Sequence, residues 1–535
     1  MLGIMPGQAS IQKKTPSGGD LGVATSPDRS ALSRLEVLGL ALLAALVYVL
    51  LGQKTFYRED GYQLIHHMLS KGQLYHDIHP LYLPALHLAQ VLLSWTGRGA
   101  HGIGTLLSAI SVAGALFFLG LTARRAIPGR SRELLFLGLV AFCPAVAFFA
   151  TVVEFHGFFF LFVGLAFLAA ESLIQSQSKR VALGSAILLG LATALGTAAH
   201  ATGQLLLPLF WAWVVGRRGS FDRWRALLLF TGIHVLVYFG GLALVLAALG
   251  IGGQSQAAGS LGHLHRWLGQ GLVTAAARFP GQLWWEIVFP YLPLSLLPLL
   301  LILPGRRRVR PSRLQVLAAL TMFLPYLLLV VLTLADEFTG EAIWERGAYL
   351  LPLAPPAAWA LVRARLPLSW LTCLLLGGMI LSVAQIRQHD QRPGRALAQE
   401  VRAITDGQPI LAFVGPVESI YVYPELPEVR QGFVLDLLTL APPLSPEAIC
   451  TLGDGMISEA FAHGQRVLMT RRARDLMAGS ETGEIGKRLA EMKQASPLLH
   501  AHLVTLGRAW LAHLQQRYHL TPVPDHPDFF ELTPP

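Results

Sequence analysis

The sequence predicts an α-helical polytopic membrane protein with about eleven transmembrane helices, N-terminus inside and C-terminus outside, followed by a small extracytoplasmic α/β domain. Hydrophobic residues make up 53% of the 535 residues and charged residues only 14%, whereas soluble domains carry about 25% charged residues. Apolar runs recur as far as residue 385, with Lys and Arg clustered between them. Beyond residue 385 the composition becomes that of a soluble domain.

The N-terminal part contains a tail and the first span. Residues 1–30 are rich in Gly, Ser, Pro and Lys without periodicity, so we predict a disordered cytoplasmic tail over 1–35. The apolar run 36–52 follows basic residues, and no A-x-A cleavage site comes after it, which indicates an uncleaved anchor. The run 81–96 is short for a crossing and is predicted to lie along the membrane interface.

Ten further apolar runs complete a predicted membrane domain over 36–385. They are 102–123, 133–152, 157–174, 181–199, 202–216, 226–250, 284–304, 314–334, 347–362 and 367–385. Some of these spans contain proline, which neighbouring helices make tolerable by bonding the freed backbone groups.

Basic residues are distributed unequally between alternate loops. With the N-terminus inside, the inner loops carry seventeen Lys and Arg residues and the outer loops seven. The positive-inside rule then places the N-terminus in the cytoplasm and the C-terminus outside. We expect the membrane to be the plasma membrane, the inner membrane of a bacterium. No basic stripe with interleaved aromatic residues is present, so nucleic acid is not an expected partner.

Residues 386–535 are predicted to form the extracytoplasmic α/β domain. An amphipathic helix pattern covers 394–406, and strand patterns occur at 409–415 (PILAFVG) and 465–470 (QRVLMT), the second followed by a helix pattern. Helix–strand alternation is typical of a small α/β domain. It contains neither a Gly-rich nucleotide loop nor a nucleophile elbow, and its function cannot be predicted.

The first outer loop, 53–102, concentrates ionisable residues beside a span. It holds Glu59, Asp60 and Asp77, together with the histidines His66, His67, His76, His79 and His87. A polar segment here either lines a water-filled site or lies on the lipid surface. Adjacent side chains diverge, so only one of Glu59 and Asp60 can face a substrate and act as general base toward a hydroxyl. The alternative is a pair of solvated loop acids.

A second group is Asp77-Ile78-His79-Pro80. Asp77 and His79 have a spacing that allows a shared metal, with His76 or His66 as third ligand. Hydrogen bonding at a turn before Pro80 is the commoner explanation. We therefore predict no metal site and no cofactor; nothing in the sequence supports a divalent cation.

Two other outer loops supply candidates. Glu154-Phe155-His156 closes the second outer loop, where Glu154 is either a site residue or a solvated interfacial acid, since a charge at a helix end costs much less than one at the bilayer centre. Arg346 is the one cation in the acid-rich loop before span ten. It can pair with Glu345 on the surface, which stabilises little, or bind a phosphate.

These motifs resemble those of the C-type glycosyltransferases, most closely the protein mannosyltransferase and aminoarabinose transferase group. The likeness covers about 36–385 and rests on Glu59-Asp60-Gly61-Tyr62, on 69–72 (LSKG), on 75–81 (YHDIHPL), on 105–125 and on 345–361 (ERGAYLLPLAPPAAWAL). The acids run Glu-Asp where Asp-Glu is commoner, which leaves the choice of base open. A basic residue often found before the second span is absent, and His101 is the nearest substitute.

The resemblance implies a sugar transfer from a polyprenyl-phosphate donor to a lipid, glycan or protein acceptor outside the cytoplasm. Asp60 or Glu59 would be the base, Asp77 would shape the site, and Arg346 would stabilise the leaving phosphate. The remaining expected substrate-binding residues are Tyr62, His79, Glu154, His156 and Tyr349. The alternatives are an inactive relative in envelope glycan assembly or a transporter or flippase, which would have charges within spans, inverted repeats and broken helices.

Overall fold

The computed structural model describes most of the chain. The residues described are 31–57, 61, 64–65, 79–217, 222–241, 243–244, 283–297, 320–326, 347–364, 366–390, 394–406, 408–415, 418, 429–438, 444–495 and 497–535.

Among the residues described up to residue 390, the regular secondary structure is helical. Its α-helices are α1 Arg34–Leu50, α2 Tyr82–Leu93, α3 Ala100–Ala126, α4 Arg130–Ala141, α5 Pro144–Phe149, α6 Phe155–Gln175, α7 Lys179–Ala199, α8 Leu206–Arg217, α9 Asp222–Val235, α10 Ala354–Arg363 and α11 Leu368–Asp390. Short 3-10 helices lie at Ser94–Thr96, Ala201–Leu205, Leu294–Leu296 and Ala348–Leu353, and π-helices at Leu236–Gly240 and Leu283–Val288.

Four of the described helices are long and apolar enough to cross a membrane. They are Ala100–Ala126, Phe155–Gln175, Lys179–Ala199 and Leu368–His389, and each contains or overlaps one predicted span. The prediction of a helical polytopic membrane protein is therefore confirmed in outline. The total of eleven spans and the N-in, C-out orientation stay predictions.

Helix α2 occupies most of the segment predicted to lie along the interface. One face, with Tyr82, Leu83 and Leu86, is buried. Leu88 and Leu92 on its other side are exposed, although both are strongly apolar. Exposed apolar side chains beside a packed face suit a helix that lies on lipid.

The predicted span 133–152 is wrong as a single helix. Helix α4 ends at Ala141 and α5 begins at Pro144, where proline is favourable because it has no N–H to leave unbonded. The Tyr48 hydroxyl donates to the carbonyl of Ala141 (2.7 Å). The Ser382 hydroxyl shares its one proton between the carbonyl of Phe142 (3.0 Å) and that of Gly378 in its own helix (2.8 Å). Partners from α1 and α11 thus stabilise backbone groups that lipid would leave unbonded.

Residues 394–535 build a mixed five-stranded sheet. The strands are β1 Ile410–Val414, β2 Arg430–Phe433, β3 Arg466–Thr470, β4 His519–Val523 and β5 His526–Thr533, in the order β2-β1-β3-β5-β4. β2, β1 and β3 are parallel, whereas β5 is antiparallel to β3 and β4. The helices are α12 Gly394–Thr405, α13 Val434–Leu438, α14 Pro446–Ala462, α15 Arg471–Ala478, α16 Gly483–Ala495 and α17 Pro497–Arg517.

The predicted helix at 394–406, both predicted strands and the helix after the second strand are present. The sheet has buried clusters of its own: Trp510, Phe413 and Leu514 belong to the larger one. Helix α11 continues to Asp390, past the predicted end of the last span at 385.

Candidate functional site

The structure describes four of the nine predicted site residues. His79, Glu154, His156 and Tyr349 are described. Glu59, Asp60, Tyr62, Asp77 and Arg346 lie outside the described residues. The four that are described come from three separate segments of the chain, and they meet in one cluster of rings around a buried carboxylate.

Glu154 begins helix α6 and is buried. Its backbone is extended, and its Oε1 accepts a hydrogen bond from the N–H of Phe155 (3.2 Å). A carboxylate is favourable here because the first N–H groups of a helix have no partner within the helix and the helix dipole favours negative charge. The same Oε1 lies 3.5 Å from Nδ1 of His156. The carboxylate of Glu154 and the imidazole of His156 are therefore close neighbours within the cluster.

His79 lies at the start of the chain that leads into α2. Two residues later the N–H of Leu81 donates to the carbonyl of Ala198 (3.0 Å), which fixes this segment against the end of α7. The His79 ring stacks on Phe155, with centroids 3.5 Å apart and an angle of 20°. Residues of the predicted first and second outer loops are therefore in direct contact.

His200 is a member of this cluster that was not among the predicted site residues. It separates α7 from the following 3-10 helix, and its ring centroid lies 4.6 Å from that of His156 and 5.0 Å from that of His79. Nδ1 accepts from the N–H of Thr202 (3.2 Å), so the proton of the neutral ring is on Nε2. Burial, with a smaller contribution from His156, holds the pKa of His200 well below its usual value. The ring is therefore neutral at neutral pH.

Tyr349 closes the cluster from the other side. Its ring centroid lies 5.9 Å from that of His200 and 6.1 Å from that of His156. Two residues earlier, Gly347 has a left-handed backbone (φ +76°). Buried Glu286 accepts from its N–H (2.8 Å), and the Tyr291 hydroxyl donates to its carbonyl (2.6 Å). These two residues, neither of them predicted, position the chain between Arg346 and Tyr349.

Tyr82, in the first turn of α2, adds a buried hydroxyl that has no hydrogen-bond partner among the residues that the structure describes. Its ring lies against Phe155 and Phe158. Burial, together with the charge of Glu154, raises the pKa of Tyr82, which keeps the hydroxyl protonated and able to donate. Unsatisfied buried hydroxyl groups are uncommon and often mark functional sites.

Two described residues that are close in sequence to the predicted acids contact the turn that carries Glu154. Gly61, next in sequence to Asp60, packs on the backbone of Val153: a Cβ at Gly61 would lie 2.5 Å from the Val153 carbonyl oxygen. His79, two residues after Asp77, stacks on Phe155. Both contacts are with the same turn, the one that carries Glu154. Among the described residues, no group of three or more His, Cys, Asp and Glu is arranged to hold a metal ion.

Comparison with known proteins gives a fold. No family model matches the chain, and no curated protein matches it significantly. ArnT from Cupriavidus metallidurans, in its crystal structure bound to undecaprenyl phosphate, aligns with 83% of this chain and 94% of its own, at 12% identity and a TM-score of 0.54. The chain has the ArnT fold. The apo structure of ArnT aligns over the same shares, at 13% identity and a TM-score of 0.50.

The resemblance to C-type glycosyltransferases is thereby confirmed for the fold. AftD, a mycobacterial arabinofuranosyltransferase, aligns with 83% of this chain and 37% of its own, at 16% identity and a TM-score of 0.45. The ArnT fold and the long apolar helices together identify a polytopic membrane protein.

Proposed function

We propose that this protein is a membrane glycosyltransferase that moves a sugar from a polyprenyl-phosphate donor to an acceptor outside the cytoplasm. The observation that carries the proposal is the convergence of His79, Glu154, His156 and Tyr349. Glu154 and His156 were singled out by their polarity at a predicted outer loop, whereas His79 and Tyr349 lie in segments that resemble lipid-linked sugar transferases. The ArnT fold, whose named member binds undecaprenyl phosphate, supports the same class of donor.

In the proposed reaction, Asp60 or Glu59 takes the proton of an acceptor hydroxyl. The oxygen forms a bond to the anomeric carbon while the bond from that carbon to the donor phosphate oxygen breaks, and the electron pair leaves with the lipid phosphate. Arg346 stabilises the charge that develops on this phosphate, and Asp77 shapes the site.

The described residues bind and orient the sugar. Because Nδ1 of His200 already accepts from Thr202, its Nε2–H is the group that would donate to a sugar hydroxyl. The carboxylate of Glu154 lies 3.5 Å from Nδ1 of His156. Tyr349 adds an aromatic ring beside those of His156 and His200. Tyr62 is proposed to bind substrate as well. The acceptor is a lipid, a glycan or a protein.

A transporter is the competing class, and the broken α4–α5 span is the feature that favours it. At this break, however, the hydroxyl groups of Tyr48 and Ser382 bond the freed carbonyls. Hydrogen bonds within the protein therefore account for the backbone groups at this break. The ionisable residues of the candidate site belong instead to segments predicted as outer loops, which is the side that a transferase with an acceptor outside the cytoplasm requires.

The deciding experiment is single-turnover transfer by the purified protein, from an undecaprenyl-phosphate-linked sugar to an extract of the native membrane. A general base typically contributes about 10²–10⁴-fold in rate, so we expect a loss of that order for Asp60→Asn. Glu59→Gln should lose less, because adjacent side chains diverge. The matched control is Glu481→Gln, which replaces an exposed carboxylate of the C-terminal domain. This variant should transfer sugar like wild type.

The outcomes separate the hypotheses. An active Asp60→Asn with an inactive Glu59→Gln would exchange the roles of the two acids and leave the mechanism intact. Full activity of both variants would exclude this loop from acid–base catalysis. If wild type transfers no sugar from any donor, an inactive relative or a transporter is the better description.

A further inference from the structure

A second polar cluster lies at the outer end of α11. It consists of Gln53, Thr55, Tyr57, Gln385 and His389, and we name it the α11 polar cluster. Nδ1 of His389 donates to Oε1 of Gln53 and lies 3.5 Å from Oγ1 of Thr55. The ring of Tyr57 lies 5.9 Å from that of His389. The last helix of the membrane part thereby contacts the start of the first outer loop.

Gln53 is held rigidly within this cluster. Its N–H donates to the carbonyl of Thr151 (2.8 Å), and its Nε2 donates to the hydroxyl of Thr151 (2.9 Å). Because Nε2 is used in this way, Oε1 is fixed toward His389. The orientation of the amide is set by bonds on both sides.

Gln385 differs from Gln53 in having unused bonding capacity. It lies one turn before His389 on the same face of α11. It is only 2% exposed, yet neither Nε2 nor Oε1 has a hydrogen-bond partner in the described part of the chain. A glutamine amide offers two donors and an acceptor oxygen. Buried polar atoms are nearly always bonded, so such an amide indicates a group that binds there.

The α11 polar cluster adjoins the candidate site. Phe149 lies between the two: its ring centroid is 4.8 Å from that of His156 and 5.5 Å from that of Tyr57. A single buried aromatic ring thus separates the α11 polar cluster from the candidate site.

The members of the cluster define the class of ligand. They offer amides, hydroxyl groups and an imidazole, whereas phosphate binding in proteins relies on Arg, Lys or backbone N–H groups. Aromatic rings of Tyr57 and Phe148 lie beside His389, and they suit the C–H face of a sugar. We propose that the α11 polar cluster binds the hydroxyl groups of a sugar ring, with Gln385 donating and accepting.

The identification of a sugar rests on the proposed function. Two sources share this chemistry, the sugar of the donor and that of a glycan acceptor, and the experiment separates them. The test variant is Gln385→Met, which keeps the volume and removes the polar atoms. The matched control is Gln175→Met at the far end of α6, where Nε2 is bonded to the Arg125 carbonyl and to Glu171.

Binding is measured first, without turnover. The probes are undecaprenyl phosphate and its glucose, mannose and arabinose conjugates, titrated into purified wild type and variants. If the cluster holds the donor sugar, wild type binds one conjugate more tightly than undecaprenyl phosphate. In Gln385→Met, the affinity for that conjugate should fall about tenfold, as expected for lost hydrogen bonds. Affinity for undecaprenyl phosphate itself should not change in either variant.

Transfer to the native membrane extract is measured next. If the cluster holds the acceptor, Gln385→Met raises the KM for the extract about tenfold while donor affinity stays at the wild-type level. Wild-type donor affinity and acceptor KM in Gln385→Met would overturn the proposal, as would a wild-type protein that shows neither sugar-dependent binding nor transfer. Sugar-dependent binding that Gln385→Met weakens, in a protein that transfers nothing, would uphold this inference and reject the proposed transferase.

Discussion

At the scale of single residues, Gly347 shows that a backbone position can decide the geometry of a candidate site. Its left-handed backbone lets the chain turn between Arg346 and Tyr349. A Cβ there would lie 2.5 Å from the Tyr291 ring, and the N–H and carbonyl are both bonded by buried side chains. The direction of Tyr349 therefore depends on a residue without a side chain.

We expect Gly347→Ala to lower stability and sugar transfer together. A left-handed alanine costs about 1–2 kcal/mol, and crowding against Tyr291 adds to it. The control is Gly97→Ala, which has a similar φ of +66° and no atom within 4 Å of the added Cβ. Thermal unfolding in detergent should show the larger loss for Gly347→Ala. Equal losses for both variants would mean that the contacts with Glu286 and Tyr291 contribute nothing.

A second residue-scale prediction concerns Glu418 in the C-terminal domain. Its carboxylate is buried and accepts from the N–H of Gly415 (2.6 Å) and from the Thr470 hydroxyl. Burial is the main cause of its raised pKa, opposed by these bonds. The folded domain therefore binds this proton more tightly than the unfolded chain, and stability is lost as the pH rises from about 4.5 through the raised pKa.

Glu418→Gln keeps both bonds through its amide oxygen and removes the pH-dependent loss. We expect its advantage over wild type to be smallest near pH 4 and largest near pH 8. Hydrogen–deuterium exchange of β1 and β3 in the full-length protein measures this difference in stability, and Glu481→Gln, at an exposed position, is the control. An advantage that does not change with pH would assign the effect to packing.

Sequence patterns identified some site residues and missed others for a physical reason. Glu154 and His156 stand where an apolar run is interrupted, so their polarity is visible locally. Glu286 acts on Gly347 across 61 residues of chain. Such a long-range contact leaves no periodic or compositional trace around either partner.

At the scale of elements, the predicted span 133–152 shows what hydropathy measures. Residues 134–150 carry no charged side chain, which indicates an apolar surrounding, and the run was therefore predicted as one span. Whether the backbone is continuous depends on Pro144 and on hydroxyl groups from α1 and α11. Strand β4 was not predicted for a related reason: it is an edge strand with mostly exposed residues and a proline, and it lacks a clear alternation.

We expect Tyr48→Phe to destabilise the membrane part by about 1–3 kcal/mol, the cost of leaving a buried carbonyl unbonded. The lost bond is the one from the Tyr48 hydroxyl to Ala141 (2.7 Å). Thr372→Val is the control, because its hydroxyl bonds only to the carbonyl of Leu368 in its own exposed turn. Unfolding midpoints in detergent decide the question, and a midpoint for Tyr48→Phe equal to that of the control would show that the break needs no partner.

At the scale of the whole molecule, composition and charge predicted the class correctly, and the ArnT fold agrees with it. The orientation is still a prediction from the unequal Lys and Arg content of alternate loops. Because the positive-inside rule acts on short loops, it applies well to a chain of this kind.

Reporter fusions test this orientation. A reporter that works only outside the cytoplasm should be active when fused after Asp390, at the end of α11. The same reporter fused after Ser178, between α6 and α7, should be inactive, which supplies the control of opposite sign. A cytoplasmic readout after Asp390 would change the number of spans and move the C-terminal domain to the other side.

The bond between His389 and Gln53 also sets the order in which the outer site is completed during synthesis. The two residues are 336 positions apart in the chain. At a synthesis rate of 5–20 residues per second, the first outer loop waits roughly 20–70 s for its partner on α11. We therefore expect ribosome-arrested chains that end before Leu368 to leave this loop open to protease, and completed chains to protect it. The nascent protein would be unable to act on its substrate until the last helix had been inserted.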